Sequence, residues 1–307
     1  MNAELGIWGV PLAMLAGAIR VSTPFLLVSL GECITEKSGR INLGLEGILV
    51  MGAMSGYAVS YLSNSPWLGV LAAGLCGLLL GLLHGLLCSL KSVNDIAIGI
   101  SLMLFGTGLA FFFGKPYVQP KAPGLPSIPL GWWSSTPQIQ SALEVNILFV
   151  LGIFLAFLLS WMLRNTRLGL MLRTVGESDP TARALGFPIL PIRIGATAFG
   201  GCLAGIGGAY LSLVYPGSWN EALSSGQGIM AVALVIFARW NPLRCLAAAM
   251  LFGATAAIGP ALQSVGISYG YYLFNAAPYI LTLAVMSLSG ARNTKFAGAP
   301  GALSLTR

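Results

Sequence analysis

The chain has 307 residues, of which only 25 carry a formal charge (16 basic plus 9 acidic), and 56% are hydrophobic. A water-soluble domain has about 25% charged residues, whereas helices that face lipid need none. The composition therefore excludes an ordinary soluble fold. The net charge of +7 does not indicate nucleic-acid binding, because the basic residues lie singly between apolar runs, as residues that flank membrane helices do.

Apolar stretches long enough to cross a membrane recur along the whole chain. A spanning helix needs about 20 residues, and turn signals divide the longer stretches. The sequence predicts an all-α integral membrane protein, a polytopic helical bundle of about nine (roughly eight to ten) transmembrane helices that could contain an internal pseudo-repeat. The predicted helices cover residues 10–33, 41–62, 67–90, 95–114, 144–163, 191–214, 226–240, 243–262 and 270–289.

The basic residues predict the orientation of these helices. If the arginine-rich segment after the fifth helix is cytoplasmic, alternation leaves only Lys115 and Lys121 on the outer side. The N-terminus then lies outside and the C-terminus inside. No basic residue precedes Arg20, which is unlike a cleavable signal sequence, so we expect the first helix to be retained.

The second predicted helix opens with polar and glycine residues at membrane depth. Charged or titratable groups there are costly and usually face a cavity or a partner, and this applies to Arg20, Glu32, Glu46 and His84. Glu46 lies between Gly44 and Gly47, two glycines that could interrupt the helix and leave backbone groups for Asn42 and Glu46 to satisfy. We favour a structural hydrogen bond for Glu46 over substrate contact, and interhelical packing for His84 over metal binding.

The outer segment 115–143 is rich in proline and carries the pair Trp132 and Trp133. Its six prolines exclude a regular helix and favour a semi-rigid extended surface. For the two tryptophans we favour an interfacial aromatic belt over contact with an extracytoplasmic partner.

The longest inner loop, residues 164–190, contains a short helix with both ends marked. Asp179 suits the N-cap, Pro180 the first helical position, and Gly186 the left-handed residue that ends a helix. Six residues are too few for a helix that is stable alone in water. Lipid headgroups, neighbouring helix ends or a docked partner could hold it, and the residues alone do not separate these readings.

Glycines dominate the later helices. Gly201 and Gly205 form a G-x-x-x-G pair, which predicts close backbone packing. Gly226 and Gly228 open the seventh predicted helix much as Asn42 to Gly47 open the second, and paired breaks of this kind indicate a translocation pathway. The candidate residues for this pathway or for helix breaks are Asn42, Gly44, Glu46, Gly47, Gly226 and Gly228.

Catalytic and metal-binding patterns are missing from the sequence. No G-x-x-x-x-G-K-[ST] motif occurs, so the chain has no nucleotide cradle of its own. One histidine and nine acidic residues form no catalytic cluster, and the five cysteines contain no C-x-x-C pair. We therefore expect no catalytic residue, no metal ligand and no cofactor, and an integral-membrane enzyme is a weak alternative.

Two stretches near the N-terminus resemble a known family. Thr23–Glu32 (TPFLLVSLGE) and Glu36–Ile48 (EKSGRINLGLEGI) look like the start of permeases in the branched-chain amino acid and simple-sugar ABC importer superfamily. Three later stretches, Gly169–Gly186, Ala204–Tyr210 and Gly228–Pro242, agree with it. The likeness is strongest to the branch that pairs with basic-membrane-protein-type lipoproteins to import nucleosides.

This resemblance implies a single permease domain over residues 1–307, with 164–190 as a cytoplasmic coupling loop, 115–143 as an outer loop and 290–307 as a cytoplasmic tail. It implies a bacterial inner (plasma) membrane location and these partners: an ABC ATPase that binds ATP and Mg²⁺, a second permease subunit (a paralogue or a second copy), a substrate-binding lipoprotein and membrane lipids. The residues that it implies for coupling are Arg173, Gly176, Glu177, Asp179, Pro180, Ala182 and Gly186.

The expected cargo is a small neutral polar solute, with nucleosides first and ribose-like or other simple sugars as the alternative. A secondary transporter fits the composition equally well, but it would be expected to carry more carboxylates in its helices. It would also have no reason for a capped inner helix.

Overall fold

The computed structural model describes residues 9–90, 93–118, 120–134, 139–140, 143–264, 276, 277, 280, 283 and 298–304. In this part of the chain we number eleven α-helices in chain order: α1 (Gly9–Lys37), α2 (Leu45–Ser63), α3 (Pro66–Leu87), α4 (Asp95–Gly114), α5 (Ile147–Asn165), α6 (Arg167–Glu177), α7 (Asp179–Ala184), α8 (Ile189–Leu213), α9 (Gln227–Phe237), α10 (Pro242–Ser264) and α11 (Gly301–Ser304). A 3-10 turn (Lys115–Tyr117) and two strands, β1 (Ser127–Pro129) and β2 (Glu144–Asn146), complete the described elements.

Seven of the described helices are long and apolar enough to cross a membrane, namely α1 to α5, α8 and α10. They correspond to seven of the nine predicted spans. The leucines on one face of α3 remain exposed, Leu71, Leu75 and Leu79 each by more than half. An apolar surface that is exposed in this way is typical of a helix that faces lipid. The chain is therefore a polytopic helical membrane protein.

The seventh predicted span is wrong as a full crossing. In its place stands α9, which has 11 residues and is about 16 Å long, only half the thickness of a bilayer core. The ninth predicted span, 270–289, lies outside the described residues except for four single positions. A count of about nine and an internal pseudo-repeat are therefore not confirmed.

Helices α1 and α8 lie at the centre of the bundle. α8 packs against α1, α2 and α3, and α1 also packs against α10 and α9. The contact between α3 and α8 is a backbone contact, because a Cβ on Gly205 would overlap the carbonyl oxygen of Ala73, and a Cβ on Gly77 would overlap that of Gly201. The close packing predicted for the G-x-x-x-G pair is confirmed.

One end of the bundle, which we call the hairpin end, is covered by the proline-rich segment. The Tyr57 hydroxyl donates to the Pro120 carbonyl (2.8 Å) and the Ser60 hydroxyl to the Pro123 carbonyl (2.8 Å). Further on, β1 and β2 pair antiparallel, with Ser127 opposite Asn146. The bundle is thus not purely all-α, since β1 of the predicted extended segment pairs with β2 at the start of the predicted fifth span.

The polar residues assigned to the membrane find partners near its ends or between helices. Arg20 forms an ion pair with Glu144, the first residue of β2 (3.7 Å), so it lies near the hairpin end rather than at mid-depth. His84 is fully buried in α3, and its Nε2 donates to the Ile41 carbonyl (3.2 Å). The prediction of a packed donor is confirmed, but the acceptor lies in the connection between α1 and α2 and not in a neighbouring helix.

The close approach of α3 and α8 predicts opposite effects for two Gly→Ala changes on α8. Gly205→Ala should destabilise the protein by about 1–3 kcal/mol, because the new methyl group overlaps the backbone of α3. Gly195→Ala meets no atom within 4 Å, and it should stabilise the helix by about 0.5–1 kcal/mol. Thermal unfolding in one detergent measures both, and equal shifts of the same sign would contradict the packing.

Candidate functional site

The connection between α1 and α2, residues 38–44, doubles back along α1. The Asn42 backbone N–H donates to Glu32 Oε1 (2.8 Å), and Glu32 lies five residues before the end of α1, about 8 Å along the helix axis. Asn42 Oδ1 in turn accepts from the Gly44 N–H (2.9 Å), and Gly44 is the N-cap residue of α2. Helix α2 therefore starts inside the bundle and not at its end.

Glu46, in the first turn of α2, binds the start of α9. Its carboxylate accepts from the Ser224 hydroxyl, from the Gly226 N–H (3.1 Å) and from the Gly228 N–H (2.7 Å). We call this contact between the N-termini of α2 and α9 the Glu46 junction. The carboxylate is buried and lies at the positive ends of two helices, which stabilises its negative charge.

Two glycines are needed for the junction to form. Gly226 has φ +82°, which disfavours side chains with a Cβ. A Cβ on Gly228 would lie 2.6 Å from the Glu46 backbone nitrogen, so only glycine allows the N-terminus of α9 to approach. Gly47 serves a different contact, because a Cβ there would lie 2.6 Å from the Met103 carbonyl oxygen of α4.

The structure thus brings Glu46, Gly226 and Gly228 together. Asn42 and Gly44 lie just before Glu46 along the chain. Asn42 Nδ2 and Gln227 Oε1 are buried and have no hydrogen-bond partner in the described part of the chain. Each is an uncharged polar group close in sequence to the junction. Such groups suit hydrogen bonding to water or to a neutral solute.

The opposite end of the bundle, the α7 end, carries two helices where the sequence predicted one. Helix α6 begins at the N-cap Thr166, whose hydroxyl accepts from the Gly169 N–H (3.2 Å). Sequence reasoning missed α6, although Thr166, a favourable N-cap residue, was a signal for its start. Arg173 is exposed on α6, whereas Gly176 packs against the Lys37 carbonyl at the end of α1.

The cap assignment of the short helix α7 needs a correction. Ser178, in extended conformation, is the N-cap, and its hydroxyl accepts from the Thr181 N–H (3.4 Å), while Asp179 is the first helical residue and Pro180 follows it. Asp179 is instead engaged in an ion pair with Arg193 (2.6 Å). Gly186 has φ +73°, as predicted for the residue that ends the helix.

The remaining coupling candidates hold α7 and its neighbours together. Ala182 is fully buried and lies on the side of α7 that packs against the bundle. Glu177 Oε2 accepts from the Gly301 N–H of α11 (3.3 Å). Arg193, at the start of α8, was not singled out from the sequence, since nothing in its neighbourhood marks it as different from the other basic residues of the loop.

A polytopic bundle with a buried junction of two helix N-termini, and with a short helix held at one end, defines a membrane transport protein. The family model for the permease component of branched-chain amino acid transport systems matches residues 14–289. The chain belongs to this permease family. It is accordingly a multi-pass protein of the plasma membrane and not an enzyme.

Curated relatives cover nearly the whole chain. The putative glucose ABC transporter permease protein TsgC13 of Haloferax volcanii is 34% identical over 89% of this chain and 90% of its own length. The nucleoside ABC transporter permease protein NupC of Lactococcus lactis is 29% identical over 90% and 91%. The guanosine ABC transporter permease protein NupQ of Bacillus subtilis is 29% identical over 88% of both chains. ABC permeases work with ATPase and substrate-binding partners, so the secondary-transporter alternative is set aside.

The hydrogen bonds of the Glu46 junction predict a large loss of stability for Glu46→Ala. The change leaves the Gly226 and Gly228 N–H groups and the Ser224 hydroxyl without their acceptor, at about 1–3 kcal/mol for each buried donor. Glu46→Gln, which keeps one carbonyl oxygen, should cost less. Thermal unfolding of the purified protein measures both changes against Glu221→Ala, an exposed residue of the same segment. A Glu46→Ala protein as stable as the Glu221→Ala protein would contradict the junction.

Proposed function

We propose that this chain is the permease subunit of an ATP-driven importer and that its cargo is a small neutral polar solute, a nucleoside. In this proposal the solute passes the Glu46 junction, and a separate ATPase docks on α7. The observation that carries the proposal is the buried junction itself. Two helices that begin inside a membrane bundle place helix N-termini there, where the Glu46 carboxylate binds the N–H groups of one of them. Interrupted helices whose N-termini meet within the bundle are typical of solute pathways in transporters.

A neutral cargo follows from the charge balance of the junction. The Glu46 carboxylate already accepts three hydrogen bonds and lies at two positive helix ends. Close to it in sequence, the uncharged atoms Asn42 Nδ2 and Gln227 Oε1 have no partner in the described part of the chain, and neither has the carboxylate oxygen Glu32 Oε2 beside Asn42. The amide nitrogen can donate and the two oxygens can accept, which suits the hydroxyl and amide groups of a neutral solute.

Nucleosides and sugars both carry such groups. The relatives named for nucleosides and for guanosine, together with the resemblance of Thr23–Glu32 and Glu36–Ile48 to the nucleoside branch, support a nucleoside. The relative named for glucose is more identical to this chain, which makes a simple sugar the second candidate. Because a separate binding protein delivers the cargo to permeases of this kind, selectivity is best tested on the assembled importer.

The ATPase docks at the α7 end in this proposal. Leu168 and Leu185 are both more than half exposed there, close to the exposed arginines Arg167 and Arg183. Apolar side chains that stand among arginines lie outside the lipid core, so they suit a protein partner. The concentration of arginine at this end supports a cytoplasmic location for it. The hairpin end would then meet the substrate-binding lipoprotein.

Transport should require the ATPase. The reconstituted chain, paired with its second permease subunit, its lipoprotein and its ATPase, is expected to accumulate radiolabelled nucleoside when ATP is supplied. The matched control is the same complex whose ATPase carries Lys→Ala in its own nucleotide-binding loop. Accumulation that is equal in the two complexes would contradict the proposal.

The cargo can be identified by competition in the same vesicles. Unlabelled uridine or guanosine should abolish uptake of labelled guanosine, because they compete for the same delivered site, whereas glucose, ribose and leucine in equal excess should leave it unchanged. If glucose or ribose is taken up and nucleosides do not compete, the simple-sugar candidate replaces the nucleoside. The dependence on ATP would stand in either case.

A further inference from the structure

A single side chain joins the coupling segment to the connection between α1 and α2. The Arg193 guanidinium donates from Nη2 to Asp179 Oδ1 (2.6 Å) and from Nη1 to Asp179 Oδ2 (3.4 Å), at the start of α7. Nη2 also donates to the Val175 carbonyl of α6 (3.2 Å), and Nε donates to the Ser38 carbonyl (3.1 Å). Three separate segments therefore meet at one guanidinium.

The geometry of this contact suits the transmission of movement. The Arg193 side chain is only 11% exposed, and a charge-assisted, two-pronged contact is stronger and more directional than a single surface ion pair. Helix α7 by contrast has only six residues, which do not persist as a helix alone. A displacement of α7 would therefore act on Arg193.

Residues 38–44 continue this path as a braced segment. Arg40 forms an ion pair with Asp95 at the start of α4 (2.5 Å), and the Ile41 carbonyl accepts from His84 of α3 (3.2 Å). The Asn42 N–H is bound to Glu32 of α1 (2.8 Å). A segment with contacts to three different helices within three residues has little freedom to absorb a displacement locally.

The far end of this segment is the Glu46 junction. Gly44 caps α2 and is itself bound by Asn42 Oδ1 (2.9 Å), and Glu46 follows in the first turn. Hydrogen bonds join Asp179 to Arg193 and Arg193 to Ser38, and Glu46 to the start of α9. The backbone of residues 38–46, held by the contacts above, connects these two sets. Packing follows the same route, since Gly176 of α6 lies directly against the Lys37 carbonyl.

We propose that Arg193 is the positioning residue that transmits movement of α7 through residues 38–44 to the Glu46 junction, so that ATP-driven closure of the docked ATPase opens the start of α9. This inference rests on the proposed function and goes beyond it, because it names the link between the docking helix and the pathway. Arg193 need not contact the ATPase or the solute, and its effect is exerted through Asp179 and Ser38.

The inference is tested in the assembled, reconstituted importer with a spin label at the junction. Ser225 is exposed beside Gly226, so Ser225→Cys carries the label, in a chain whose half-buried cysteines are replaced (Cys76→Ser, Cys202→Ser). The variants are Arg193→Ala and Arg193→Lys, and the matched control is Arg244→Ala, which removes an exposed positive charge from the start of α10. All complexes are compared at equal assembly, and both ATP hydrolysis and uptake are measured so that uptake is expressed per ATP hydrolysed.

In the wild type and in Arg244→Ala, ATP should change the spectrum of the label and drive uptake. In Arg193→Ala the spectrum should stay in its resting form, and uptake per ATP hydrolysed should fall by about tenfold, within the range of coupling between distant sites. Arg193→Lys keeps the positive charge but not the two-pronged contact with Asp179, so its uptake per ATP hydrolysed should lie between those of the wild type and Arg193→Ala. Adding Asp179→Ala to Arg193→Ala should cost nothing more, because the two residues act as one unit.

Two results would overturn the inference. One is an Arg193→Ala complex whose label responds to ATP as in the wild type. The other is a loss of uptake in strict proportion to lost ATP hydrolysis in both Arg193 variants, which would make the residue a structural support for docking alone. A wild-type complex without ATP-driven uptake would be a different failure, since it would overturn the proposed function itself.

Discussion

The Glu46 carboxylate is the contact on which the rest of this structure depends. Helix α2 begins inside the bundle, and α9 begins beside it, so the free backbone N–H groups of two helix starts meet in an interior that has little access to water. One buried carboxylate satisfies the start of α9 through Ser224, Gly226 and Gly228. Without this carboxylate, the first N–H groups of α9 would lack their acceptor, and a helix start at that depth would be unstable.

The sequence predicts the bundle well because span length and apolar composition are local properties. Seven predicted spans are helices in the structure. The Gly201 and Gly205 pair predicted close backbone packing of α8, and the structure shows that α3 is the partner. The start of α9 at Gln227 was predicted within one residue, but its end at Phe237 was not, because the apolar run continues to Trp240. The contact of Gly228 with Glu46, 182 residues away in the chain, could not be predicted from the sequence. The paired glycine-rich breaks were visible in the sequence, but their meeting was not.

The α7 end shows the same limit at closer range. Gly186 was identifiable because a left-handed residue after a short helix has a strong local preference for glycine. The N-cap was assigned one residue too late, since both Ser178 and Asp179 are good caps, and the ion pair with Arg193 decides between them. Arg193 itself reaches Ser38 across 155 residues, and no periodicity or spacing encodes such a contact.

In the proposed mechanism, these contacts account for the need for an external source of free energy. Opening the junction separates Glu46 from at least one of its donors, which leaves a buried charge with fewer partners and is costly in a low-dielectric interior. The closed arrangement is therefore favoured at rest, and a neutral solute offers no charge that could compensate for the lost contacts. In the proposed mechanism the ATPase supplies that free energy at α7. The two-pronged contact of Arg193 with Asp179 and the braced residues 38–44 would transmit the movement of α7 to the junction, which a flexible loop would not do.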